Sequence, residues 1–259
     1  MRLDVNTFIG RFPFRLHPGG TVHYLRSAME RAKIDACWVS HLSAMYWRDP
    51  TEGNEHLYRT LETEPGLRPV PAVHPELANA EAALDAAAQR GVPAVRSDPT
   101  FYGLDPAGAR MRRLAAMCGE RDLPLMMAVR VEDGRQRHPN DGSSPLEPWA
   151  VRALVRSHPR VRLLITHADR DFVEQVHWGA TPDEALRLLW DVSWVWGPPE
   201  DHLAHLIATI GAERFCLGTG MPLRLPETGV ARLDLTPLSP AQRTAIESAN
   251  AHSWSPLPS

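Results

Sequence analysis

Lysine is almost absent from this chain: Lys33 is the only one among 28 cationic side chains, and the rest are arginine. Those arginines are scattered rather than clustered, and the net charge is −3, so nothing in the charge pattern calls for nucleic acid or an anionic membrane as partner. Cysteine is scarce too. Cys37, Cys118 and Cys216 are odd in number and far apart, which excludes a C-x-x-C zinc or redox spacing and argues against a secreted disulfide framework. The first residues lack a basic segment followed by an apolar run, and no uninterrupted apolar stretch approaches a membrane span. The default expectation is a reducing, cytoplasmic setting. There is no Gly-x-Ser-x-Gly elbow and no Walker loop, which disfavours nucleophilic serine hydrolysis and nucleotide phosphoryl transfer.

What is present is an architectural beat. The 259 residues are 43% hydrophobic, enough for one sizeable core. β-type runs occur at residues 3–8, 36–40, 69–73, 94–97, 125–130, 162–166, 189–195 and 214–218. Several are continuously apolar, as expected of parallel strands covered on both faces. Between them, 21–33, 76–90, 106–121, 147–157 and 240–249 carry good helix formers at helical spacing. Ser239-Pro240 and Thr181-Pro182-Asp183-Glu184 offer N-caps, and Gly91 stands where a glycine C-cap belongs. Eight β-runs alternating with helices favour a single-domain α/β fold, a (β/α)₈ TIM barrel over residues 1–259 with a tail at 252–259. A doubly wound sheet would announce a Gly-rich loop after its first strand, and Gly10 and Gly19-Gly20 are too far apart for one. The Pro-rich stretches 11–18, 138–148 and 222–240 read as loops, the last without a clear helix and so a candidate lid or partner contact.

Several segments resemble the amidohydrolase superfamily, in the branch related to aminocarboxymuconate-semialdehyde decarboxylase. Asp4-Val5-Asn6-Thr7-Phe8 resembles its first-strand motif, Gly91-Val92-Pro93-Ala94-Val95-Arg96 its fourth, and Leu123-Pro124-Leu125-Met126-Met127 its fifth. Leu164-Ile165-Thr166-His167 resembles the sixth-strand histidine motif, and Arg214 to Pro222 the eighth strand. Ser248-Ala249-Asn250-Ala251-His252 resembles the terminal helix. The resemblance implies a site at the C-terminal mouth of the barrel, a divalent metal, and an eighth-strand aspartate that handles a proton. The ligands themselves do not carry over. The first-strand histidine pair is replaced by Asn6 and Phe8, the fifth strand offers Ala128 and Arg130, and the aspartate position is Gly220. His167 alone remains, and one imidazole does not hold zinc. The expectation is therefore a site with no metal and no other cofactor.

Polar residues at the strand ends supply the candidates. His167 is the general acid or base, with Asp191 to orient it or act as a base. Asn6, His74, Arg96, Tyr102 and Arg130 are the substrate-binding candidates. Arg96 and Arg130, pointing inward from neighbouring strands, would form a fork for a carboxylate, while Arg130, Asp133 and Arg135 read equally as a loop-stiffening ion network. Asp4 is expected to pair with an interior arginine or histidine. Trp190, Trp194 and Trp196 fall at even spacing, so on one strand they would share a face, as packing or as an aromatic wall. Three readings stay open: a metal-independent hydrolase or decarboxylase of a small, anionic, carboxylated substrate; a catalytically inactive barrel acting as a binding or partner subunit; and a metal hydrolase with relocated ligands at His41, His74 and His167. A homo-oligomer is among the arrangements that the sequence allows.

Overall fold

The computed structural model describes residues 1–17, 19–196 and 201–255; the last part of the expected tail, 256–259, lies outside them. Eight strands appear in the expected order: β1 (Leu3–Ile9), β2 (Ala36–His41), β3 (Leu67–Pro69), β4 (Val95–Arg96), β5 (Leu125–Ala128), β6 (Leu163–Thr166), β7 (Leu188–Asp191) and β8 (Phe215–Cys216). All paired neighbours are parallel, in two runs, β1-β2-β3 and β4-β5-β6-β7-β8. Backbone hydrogen bonds join the runs into a closed barrel. On one side Arg96 N donates to Pro71 O and Val73 N to Arg96 O, each at 2.8 Å. On the other, Val5 N donates to Leu217 O at 2.9 Å and Phe8 N to Met221 O at 2.8 Å. The (β/α)₈ barrel is thus complete.

Alternation along the strands sorts the side chains. Leu3, Val5, Trp38, Val70, Ala94, Met126, Leu164, Leu189 and Cys216 fill the lower barrel interior, drawn from the strands and, at β3 and β4, from the residue next to them (Val70 and Ala94), with Ala251 of the last helix packed beneath. The alternate positions, among them Val95, Leu125, Met127, Ile165 and Trp190, face outward into the layer under the helices. Two residues further along the inward set come Arg96, Ala128, Thr166 and Asp191, all buried, so strand periodicity itself delivers polar groups to the mouth.

The helix punctuation is as expected. Thr181 and Ser239 both form capping boxes, and Gly91 takes a φ of +62° after the helix Ala80–Gln89. Two expectations need correction. The 222–240 stretch is not a bare loop: Pro226–Leu235 is a helix, with Pro226 at its start and Val230 and Leu233 buried, so packing outweighs the weak propensity of Thr228 and Gly229. β7 ends at Asp191 instead of running to 195, so the three tryptophans do not share a face. Trp190 packs outward against Phe172, whereas Trp194 turns over the barrel mouth toward His167. No helix among the described residues is long and apolar enough to cross a membrane.

Candidate functional site

The mouth is organised around one amide. Arg96 can only donate, and its Nη2 reaches Asn6 Oδ1 at 3.2 Å and Thr166 Oγ1 at 3.1 Å. Asn6 must therefore turn its Nδ2 the other way, where it donates to Asp191 Oδ2 at 2.7 Å and meets His167 Nε2 at 3.1 Å. That assigns Nε2 as the acceptor and leaves the ring proton on Nδ1. Asp191 completes the cluster by accepting the His167 backbone N–H at 2.9 Å and the Ser193 hydroxyl at 2.9 Å. Simple alternation would point His167 outward after Thr166. A left-handed backbone, φ +59°, swings it inward instead, a conformation that a non-glycine residue adopts only when its surroundings enforce it. The sequence-selected residues Asn6, His167, Asp191 and Arg96 thus converge on one buried cluster.

The electrostatics hold His167 neutral. Burial, then the guanidinium groups of Arg224 and Arg96, keep its pKa well below the ordinary imidazole value. Burial raises the Asp191 carboxyl, against the hydrogen bonds from His167, Ser193 and Asn6 that favour its ionised form. Asp4 corrects its expectation. It pairs with no cation among the described residues and accepts instead from the Thr219 hydroxyl at 2.6 Å and from the Thr219 and Asn6 backbones at 3.1 and 3.0 Å. Burial pushes its pKa up to about 7.

The residues present do not fit the divalent metal that the family pattern implies. Phe8 is fully buried, stacks on His167 at 6.4 Å between centroids, and lies under the Arg96 guanidinium at 4.9 Å. At Gly220 (φ +76°) a β-carbon would stand 2.8 Å from His167 Nε2. The relocated-ligand reading meets a similar obstacle. His41 Nδ1 accepts from Ala44 N at 3.4 Å, so its Nε2 carries the proton and faces His56 Nδ1 at 3.1 Å as a donor. His74 lies on the Tyr102 ring, 4.2 Å between centroids, and its Nδ1 accepts from Glu76 N. Among the described residues no three His, Cys, Asp or Glu side chains converge to hold a metal ion. The positive charge at the centre is instead a guanidinium.

The arginines divide differently from the expected fork. Arg96 is buried and directed to Asn6, Thr166, the Met45 sulfur and Asp98, so it does not form a receptor with Arg130. Arg130 pairs with Asp169 at 2.9 Å and keeps a buried Nε without a partner. The loop network is confined to Asp133 and Arg135, which pair at 2.9 Å. Arg224 was not signalled by the sequence. It lies on the segment after β8, with its guanidinium 3.5 Å from the Trp194 ring centre and 5.1 Å from that of Trp196. It makes no hydrogen bond or ion pair among the described residues, and burial lowers its pKa to about 10. Trp194 also meets His167 edge-on at 5.8 Å and Arg130 at 5.7 Å. Only the succession of strand end, proline and arginine at Thr219 to Arg224 hinted at a cation here.

Above this floor sits an apolar plug of Phe8, Phe12, Leu42, Met45, Ala128 and Val131. The loops after β1 and β5 close over it through an ion pair between Arg15 and the buried Glu132 at 2.9 Å and a stack of Phe14 on His138 at 5.9 Å.

No curated protein sequence matches the chain. Solved structures do resemble it throughout. A 2,6-dihydroxybenzoate decarboxylase from Rhizobium is 14% identical, with a TM-score of 0.71 over 98% of each chain. A 5-carboxyvanillate decarboxylase from Sphingomonas paucimobilis is 12% identical, with a TM-score of 0.74 over 99% of each chain. A dihydroxybenzoic acid decarboxylase from Polaromonas, solved with manganese and 2-nitroresorcinol, is 15% identical, with a TM-score of 0.70 over 98% of this chain and 96% of that one. At such identities the likeness is one of fold. The family model described as amidohydrolase matches residues 17–254, nearly the whole chain, and with the closed barrel and the strand-end cluster it establishes that this protein belongs to the amidohydrolase family.

Proposed function

We propose that the chain binds a small, flat, carboxylated molecule at the mouth of its barrel without a metal, with Arg130 and Arg224 as the carboxylate receptor and Trp194 as the wall for the ring. The observation that carries this reading is the unpaired Arg224 guanidinium, half-buried on Trp194 beside His167 with no anionic partner among the described residues. Asp191, Asp133 and Glu132 act on this cation only from beyond ion-pair contact, and an incoming carboxylate in direct contact relieves the cost of its partial burial. Arg130 adds a second unpaired donor through its Nε. The structural neighbours named as decarboxylases of hydroxylated benzoates make aromatic acids the first class to try.

Binding is favoured over turnover by the state of the imidazole. His167 gives its one lone pair to Asn6 and is held neutral by burial and then by the cations around it, so it is a poor proton shuttle near pH 7. No carboxyl stands at Gly220 to deliver a proton. A second reading, metal-independent hydrolysis or decarboxylation with His167 as acid or base and Asp191 orienting it, draws on the Asn6–His167–Asp191 chain of hydrogen bonds. In that case an incoming substrate must displace the Asn6 amide.

Protein purified without a histidine tag and treated with chelator would be titrated with benzoate, 2,6-dihydroxybenzoate and 5-carboxyvanillate while carbon dioxide release is followed. Saturable binding without product is the expected result. Product from metal-free protein would replace the binding reading by the second one. Product that requires about one equivalent of manganese or zinc would overturn both.

A further inference from the structure

A second cavity, of about 550 Å³, lies beside the barrel mouth, between the loop after β1 and the helix Thr51–Leu61. The short helix Leu42–Tyr46 divides the two places, since its Leu42 and Met45 belong to the apolar plug while Ser43 lines the cavity. The cavity wall carries a chain of hydrogen bonds that runs one way. The Ala44 backbone N–H donates to His41 Nδ1 at 3.4 Å, so the His41 proton sits on Nε2 and is given to His56 Nδ1 at 3.1 Å. His56 therefore keeps its own proton on Nε2, a donor with no acceptor among the described residues. The chain starts from a neutral ring, because His41 is more than nine-tenths buried, and burial, then His56, lower its pKa to about 4. Arg11, from the loop after β1, and Arg59, from the same helix as His56, line the cavity too. Neither guanidinium makes a hydrogen bond or ion pair among the described residues. Exposed arginines elsewhere find carboxylates, as Arg31 does with Glu227 and Arg156 with Glu184. Glu52 lines this cavity as well, yet among the described residues it pairs with neither arginine.

We propose that this cavity binds a small phosphate monoester carrying a flat organic group. The phosphate oxygens accept from the Arg11 and Arg59 guanidiniums and from His56 Nε2, and the organic group lies against Trp47, whose indole lines the cavity and is 41% exposed. Three separate donors suit the three terminal oxygens of a phosphate better than the two of a carboxylate, and guanidinium forks match phosphate geometry. Glu52 opposes an anion here, so its removal has an effect of known sign.

The test titrates the full chain with phenyl phosphate, by calorimetry and phosphorus NMR, with inorganic phosphate as the counterpart that lacks the ring. The same titrations on the Arg224→Gln protein, whose carboxylate receptor at the mouth is disabled, let either site fail without the other. Phenyl phosphate is expected to bind both proteins saturably, and Arg11→Gln, Arg59→Gln and His56→Ala each to weaken it about fivefold or more. Glu52→Gln is expected to tighten it about twofold or more. Melting temperatures of these four variants should stay within about 2 °C of the parent, which separates lost binding from lost folding. The proposal fails if phenyl phosphate does not bind the Arg224→Gln protein, or if inorganic phosphate binds equally well and so marks adventitious anion binding only. It fails also if Arg11→Gln, Arg59→Gln and His56→Ala leave the affinity unchanged.

Discussion

Gly220 and His167 leave no room for a side chain between them: a β-carbon on Gly220 would stand 2.8 Å from His167 Nε2, on a backbone with φ of +76°. The resemblance to the amidohydrolase pattern puts its eighth-strand aspartate at this position, where here a side chain would meet the imidazole. Gly220→Asp is accordingly expected to destabilise the fold by roughly 2–4 kcal/mol, from the left-handed backbone and the clash together. Urea unfolding measures it, and an unchanged midpoint would mean that His167 moves aside freely.

Arg224→Gln should weaken benzoate binding by about tenfold or more, the worth of a charge-assisted hydrogen bond in a half-buried site. The melting temperature should change little, because Arg224 holds no other side chain by a hydrogen bond or ion pair among the described residues. Calorimetry on the two proteins decides it; equal affinities would remove Arg224 from the receptor.

Asp4 makes stability depend on pH with an uncommon sign. Its folded pKa is about 7 against an unfolded value near 3.8, so the native state holds the proton more tightly. Stability from this group is full below about pH 4, falls as pH rises to about 7, and then levels, a change of about 4 kcal/mol. His41 runs the opposite way: its folded pKa of about 4 makes stability rise up to the ordinary histidine value. The contribution of Asp4 is isolated by comparison with Asp4→Asn, which mimics the protonated acid. The wild-type minus variant difference in unfolding free energy should fall between pH 4 and pH 7.

Removing Arg15 leaves the buried Glu132 carboxylate unanswered across the two mouth loops. Arg15→Ala should cost about 1–2 kcal/mol locally and speed proteolytic cleavage within 131–147. The double variant with Glu132→Gln should recover most of the resistance. Limited proteolysis followed by mass spectrometry reads both.

The barrel was legible because apolar strand runs and caps are local signals, and β1 to β8 fall where the chain's own periodicity puts them. Arg96 and Asp191 were legible for the same reason, since strand alternation carries them inward, whereas Asn6 follows the inward Val5 and reaches the mouth at the register irregularity between Asp4 and Thr7. His167 was named without its cause, because a left-handed backbone at a histidine leaves no mark in the sequence. Arg224 and the division of Trp190 from Trp194 were not legible. Both depend on where a chain turns after its strand, and that is set by tertiary contacts rather than by local residue preference. The pairing of Asp4 with Thr219 was missed because the partners are brought together only by barrel closure.

The guanidinium of Arg96, lying over Phe8 and tied to Asn6, has a consequence that concerns supply rather than shape. A cation covalently attached to the chain is delivered by translation with every copy. It cannot be chelated, exchanged for a competing ion or left out when metals are scarce. The interior field of this barrel is therefore inherited with the fold, whereas in a metal-loaded barrel it is set anew by each loading event.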